Sequence, residues 1–65
     1  MTIGDRIREK REKKGLTQVE LAEALGITKQ AVNSWEKGTQ NPSSVILRYV
    51  ADELECTADY LVGRE

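Results

Sequence analysis

The sequence predicts an all-α fold of five helices, on three observations. Apolar residues recur at helical spacing, capping residues (Ser, Thr or Asn) stand where four of the segments begin, and a glycine follows four of them. The chain has 65 residues, 38% of them hydrophobic and 32% charged, with one Pro and five Gly. That composition suits one compact domain over residues 1–65 and argues against disorder. It also lies near the lower size limit for a fold held by a core alone.

The first segment runs from about Ile3 to Lys14, with Ile3, Ile7 and Arg11 in one row and charge on the other faces. The pairs Arg6/Lys10, Glu9/Lys13 and Arg8/Glu12, spaced i, i+4, read as a solvated face, and Gly15 supplies a left-handed cap. The second runs from Thr17 to Leu25. Thr17 and Glu20 form a capping box, Leu16 and Leu21 a hydrophobic staple, and Leu21, Ala22 and Leu25 the inner face. The third runs from Thr28, its cap, to Lys37. Ile27 and Val32 form a second staple, Val32 and Trp35 point inward, and Gly38 stops the helix. The fourth begins near Asn41-Pro42-Ser43, with Pro in the first turn and Asn41 or Ser43 as cap, and carries an apolar stripe of Leu47, Val50, Ala51 and Leu54. The fifth is short, from Thr57 to Val62, and ends at Gly63.

Composition excludes several classes of function. No apolar run approaches the roughly 20 residues of a membrane span, and the charged start has no signal-peptide core. Cys56 is the only cysteine, so no internal disulfide forms, and the absence of histidine removes the usual zinc ligands. A reducing cytoplasm is the expected setting, with no metal or cofactor. Without a histidine base or clustered carboxylates, no nucleophile is activated, so the chain is not expected to be an enzyme. The net charge of −1 hides a polarity. Residues 1–41 carry eight basic and six acidic side chains, whereas residues 42–65 carry two and five. A polyanion needs only one basic face.

The informative stretch is about residues 17–37. Gly26-Ile27-Thr28 is too short a connection for its helices to lie side by side, so they cross steeply, as in a helix-turn-helix. Ala22 is small where they cross. With Val32 and Trp35 inward, Lys29, Gln30, Asn33 and Ser34 face outward. Gln and Asn pair bidentately with adenine and Lys donates to guanine O6 and N7, so this face fits base edges in a major groove.

With Arg11, Leu16-Thr17-Gln18, Leu21, Ala22, Leu25-Gly26-Ile27, Val32, Trp35-Glu36-Lys37-Gly38, Asn41-Pro42, Leu54, Asp59 and Tyr60-Leu61, the sequence resembles the Cro and phage-repressor (XRE-type) helix-turn-helix family from about Ile3 to Gly63. The resemblance implies a five-helix, lambda-repressor-like DNA-binding domain whose third helix is the recognition helix. By position it implies base contacts from Lys29, Gln30 and Ser34, with Thr28 and Asn33 also at the groove. Gln18 falls where members hold a phosphate, and Thr17, Lys37, Thr39 and Asn41 where they line the DNA backbone. Arg11 and Glu36 match a buried, structural ion pair. Dimerisation near the fifth helix is also implied, setting two recognition helices about 34 Å apart on a palindromic operator. Ile46, Tyr49, Tyr60 and Val62 are the candidate dimer patch. Three features depart from the family pattern: Glu55 where Gly is common, Cys56 where a β-branched aliphatic is usual, and a 39–41 loop without a basic residue.

The expected function is therefore that of a sequence-specific transcriptional regulator of double-stranded DNA, a repressor rather than an activator. The alternative is a protein-interaction module, an antitoxin or adaptor that keeps the fold, which the acidic second half motivates.

Overall fold

Every helix begins at a hydroxyl. In the computed structural model, which describes residues 1–64, the helices are α1 (Ile3–Lys13), α2 (Gln18–Leu25), α3 (Lys29–Lys37), α4 (Ser44–Glu53) and α5 (Ala58–Leu61). Their N-caps are Thr2, Thr17, Thr28, Ser43 and Thr57, each in extended backbone and each accepting from the N–H three residues on. A first-turn N–H has no carbonyl behind it, and a short hydroxyl side chain fills that role locally. Asp5 and Glu20 return the favour to the Thr2 and Thr17 N–H groups, at 3.0 and 2.8 Å, completing two capping boxes. The Thr17 box was expected from the sequence; the Thr2 box was not.

The helices also end alike. After each one a residue of positive φ turns the chain, and the next N–H reaches the carbonyl five residues back. These bonds are Leu16 to Arg11, Ile27 to Ala22, Thr39 to Ser34, Cys56 to Ala51 and Arg64 to Asp59, at 2.8–3.1 Å. The turning residues are Gly15, Gly26, Gly38 and Gly63, and after α4 it is Glu55, at φ 57°. A side chain there crowds the following carbonyl. Lys14 partly offsets this, reaching Glu55 Oε2 at 2.5 Å and the Glu53 carbonyl at 3.1 Å.

The core is Ile7, Leu21, Ala22, Val32, Trp35, Leu47, Val50, Ala51, Leu54 and Leu61, contributed by all five helices. Leu25, expected to be buried, is only half-buried at its rim, and Cys56 also packs there. Pro42 is displaced from its expected place. Ser43 is the cap and Ser44 opens α4, so Pro42 lies before the helix, and Asn41 caps nothing. No helix among the described residues is long and apolar enough to cross a membrane.

One close approach was missed in the sequence. Gly4 is buried inside α1, and a Cβ there would lie 1.8 Å from the Trp35 carbonyl oxygen. The backbone of α1 therefore touches that of α3. The only sequence signal was a glycine inside a helical pattern.

Two substitutions test these readings in urea or thermal melts. Gly4→Ala should cost about 1–3 kcal/mol through overpacking, although on an open helix the same change would gain up to about 1 kcal/mol. A stabilised variant would mean that α1 and α3 can part freely. Glu55→Gly should raise Tm despite losing the Lys14 contact, because relief of the left-handed backbone outweighs a half-exposed ion pair. A lower Tm would reverse that ranking.

Candidate nucleic-acid interface

The turn Gly26-Ile27-Thr28 and the crossing at the buried Ala22 set α3 across α2. Val32 and Trp35 are 0% and 5% exposed, which turns their side of α3 to the core. Lys29, Asn33 and Lys37 then fall four apart on the outer side, with Gln30 and Ser34 beside them. Thr28, Lys29, Gln30 and Lys37 are exposed, and Asn33 and Ser34 half-buried. The Thr28 hydroxyl accepts from the Ala31 N–H at 3.3 Å, and its own proton stays available.

The start of α2 joins the same surface. The Gln18 amide nitrogen donates to Asn33 Oδ1 at 3.4 Å and to Glu36 Oε1 at 3.1 Å. The Gln18 and Val19 backbone N–H groups open the helix and have no carbonyl behind them. The Thr17 cap is exposed next to them. On the far side of α3, Thr39 and Asn41 are exposed, and the Thr39 hydroxyl donates to the Ser34 carbonyl at 3.3 Å. Hydrogen bonds thus link α2, α3 and the following loop along this polar side, through Gln18 with Asn33 and Thr39 with Ser34.

Beneath it lies a buried charge cluster. Arg11 grips Glu36 with two bonds, Nε to Oε2 at 2.7 Å and Nη2 to Oε1 at 3.0 Å, and its third nitrogen reaches the Leu16 carbonyl at 2.7 Å. Arg11 is 9% exposed and Glu36 5%. Arg8 adds contacts to Glu36 Oε1 at 3.4 Å and to the Glu36 carbonyl at 3.3 Å. The solvated face expected on α1 therefore needs correction at Arg8, which lies three residues before Arg11 and shares its side of the helix. Arg6, Lys10 and Glu9 also depart from a solvated face, since all three meet Tyr60, and neither opposite-charge pair, Glu9/Lys13 nor Arg8/Glu12, is an ion pair among the described residues. Burial pushes the Glu36 carboxyl up, but the bonds from Arg11, Gln18 and Arg8 outweigh it and hold the group below the ordinary glutamate value.

The candidate dimer patch is only partly assembled. Tyr49 and Val62 are exposed, as is Val45. Ile46 and Tyr60 instead pack against the core. Arg6 and Lys10 cover the Tyr60 ring at 4.9 and 4.7 Å from its centre, and its hydroxyl donates to Glu9. Tyr60 therefore ties α5 to α1 and adds little to an open surface. A cleft of about 390 Å³ beside Val62 is lined by Leu47, Arg48, Ala58, Asp59 and Arg64.

The cluster makes stability depend on acid. Because the Glu36 carboxyl is lowered on folding, its contribution is complete above the ordinary value, about 4.3, and is lost as pH falls through the lower folded-state value. Glu36→Ala should cost about 3–5 kcal/mol at neutral pH by stranding Arg11. Glu36→Gln should flatten the fall of Tm below pH ~4.3. An unchanged Tm–pH curve for Glu36→Gln would contradict this reading.

Comparison with known proteins agrees with this architecture. The family described as Helix-turn-helix matches residues 7–61. The transcriptional regulator ImmR of Bacillus subtilis is 32% identical over 65 residues, which are all of this chain and 51% of that protein. Repressor protein C2 of Salmonella phage P22 is 32% identical over 60 residues, or 92% of this chain and 28% of the repressor. The chain thus spans about half of one relative and less than a third of the other. Among solved structures, the P22 c2 repressor in complex with a synthetic operator superimposes with a TM-score of 0.93 at 29% identity, covering 100% of this chain and 98% of that one. The biofilm regulator SinR in complex with DNA gives 0.87 at 38% identity, with coverage of 92% and 97%. The chain belongs to the helix-turn-helix family of Cro-type and phage repressors.

Proposed function

We propose that this chain is a sequence-specific, double-stranded-DNA-binding transcriptional regulator that represses by occupying an operator. The observation that carries the reading is the outer face of α3, polar along its length while Val32 and Trp35 lock the inner face. Thr28, Lys29, Gln30, Asn33 and Ser34 would meet base edges. Thr17, Lys37, Thr39 and Asn41 would line phosphates, and Gln18 would do so through the backbone N–H groups at the α2 start, where the helix dipole favours an anion. Structural relatives bound to an operator and to DNA support this docking. The 65 residues act as one unit, with two copies on a palindrome and Tyr49 and Val62 as the exposed part of the pairing surface. The setting is cytoplasmic, and no reaction is catalysed.

Selection of bound sequences from random duplex DNA tests the reading. A palindromic consensus is expected, and affinity for it should fall steeply with salt. Gln30→Ala should cost about 1–3 kcal/mol on that site and relax preference at one base position. Equal losses on all sequences would remove Gln30 from base readout. The absence of any complex at low salt would favour the protein-interaction alternative.

A further inference from the structure

We infer that Gln18 positions Asn33 as a donor-only reader, so that Asn33 selects guanine and rejects adenine. The inference rests on the DNA-binding reading above and concerns what one of its residues recognises. It begins at Glu36. A carboxylate only accepts, so the Gln18 amide must turn its nitrogen toward it. That nitrogen has two hydrogens. One goes to Glu36 Oε1 at 3.1 Å and the other to Asn33 Oδ1 at 3.4 Å. The Asn33 oxygen is therefore drawn back toward α2, and the NH2 group of this half-buried side chain, on the other side of the amide, has no protein partner among the described residues. The buried charge thus sets the polarity of two successive amides.

The consequence for recognition follows from the base edges. Guanine presents two acceptors in the major groove, N7 and O6. Adenine presents the N7 acceptor and the N6 donor, and asparagine pairs with both only when its own oxygen faces N6. With Oδ1 turned toward Gln18, the oxygen keeps a second lone pair but points away from the base edge, and Asn33 presents its hydrogens there. It suits the guanine pair and leaves the adenine N6 group unmet. The usual match of asparagine with adenine is thereby inverted at this position. The side chain of Gln18, its hydrogens already committed, acts through Asn33, whereas phosphate contact at this helix start falls to the backbone.

The test compares binding of the intact chain to every single-base-pair variant of its selected site. The proteins are the wild type, Asn33→Ala, Gln18→Ala and Gln18→Lys. Asn33→Ala should level the preference at one position, where the wild type favours guanine over adenine by about tenfold or more. Gln18→Ala should collapse or reverse that ratio while ratios elsewhere stay within about twofold, since each mismatch acts nearly independently. Gln18→Lys, which keeps donors for both Glu36 and Asn33, should restore it. Uniform weakening by Gln18→Ala, an adenine preference at the Asn33 position, or no position responding to Asn33→Ala overturns the inference. A consensus that still responds to Gln30→Ala would then leave the DNA-binding reading intact, whereas a wild type that binds all sequences alike sinks both. NMR of the free protein gives a readout independent of DNA. Wild-type Gln18 side-chain amide protons should exchange more slowly than those of Gln30, and the Asn33 amide resonances should move in Gln18→Ala and return in Gln18→Lys. Equal exchange or unmoved resonances also overturn it.

Discussion

The carboxylate of Glu36 is the charge on which the arrangement of α1, α2 and α3 depends. It sits near the end of α3, almost wholly buried, and takes bonds from Arg8 and Arg11 of α1 and from Gln18 of α2. Arg11 also reaches the Leu16 carbonyl just before α2. Hydrophobic contact alone tolerates small rotations of one helix on another, because it has no direction. A bidentate guanidinium–carboxylate pair does have one. Such a pair adds little net stability once desolvation is counted, yet its geometry leaves few alternatives. Here that geometry sets the azimuth of α3 relative to the start of α2, and these are the two elements whose polar groups form the candidate interface.

Around this pin the fold is assembled from repeated local devices. Five hydroxyl caps open the helices and five chain reversals close them. Each satisfies backbone groups that a small protein can ill afford to leave unpaired. Because nearly every reversal and cap is local, the connections stay short and the Cα radius of gyration is only 10.2 Å. Two positions depart from this economy. Gly4 gives up helix propensity so that α1 can meet the Trp35 carbonyl, and Glu55 accepts a left-handed backbone with Lys14 as its partner.

The charge distribution takes on a meaning that its sum did not have. Several basic side chains of the first half are engaged within the chain: Arg8 and Arg11 on Glu36, Arg6 and Lys10 over Tyr60, Lys14 on Glu55. Lys29 and Lys37 remain exposed on α3. Affinity for a polyanion would then draw on few full charges and on hydroxyls, amides and backbone N–H groups. Neutral donors of that kind fix register more than they supply long-range attraction.

The sequence by itself determined the helices and the inner side of α3. Caps, glycine stops and i, i+3, i+4 spacing are local signals, and Thr17, Gly26, Val32 and Trp35 carry theirs within a few residues. Where the local signal was shared between neighbours it misled. Pro42 suits a first helical turn but stands ahead of the Ser43 cap, and Leu25 fits an inner stripe but lies at its rim. Only the tertiary structure decided the rest, because those contacts join residues far apart in the chain. Arg8 meets Glu36 across 28 positions, Tyr60 meets Glu9 across 51, and Gln18 meets Asn33 across 15. No periodicity encodes such pairs. Which nitrogen or oxygen of an amide faces outward is settled by the neighbour that folding brings to it, and at Gln18 that neighbour is a buried carboxylate.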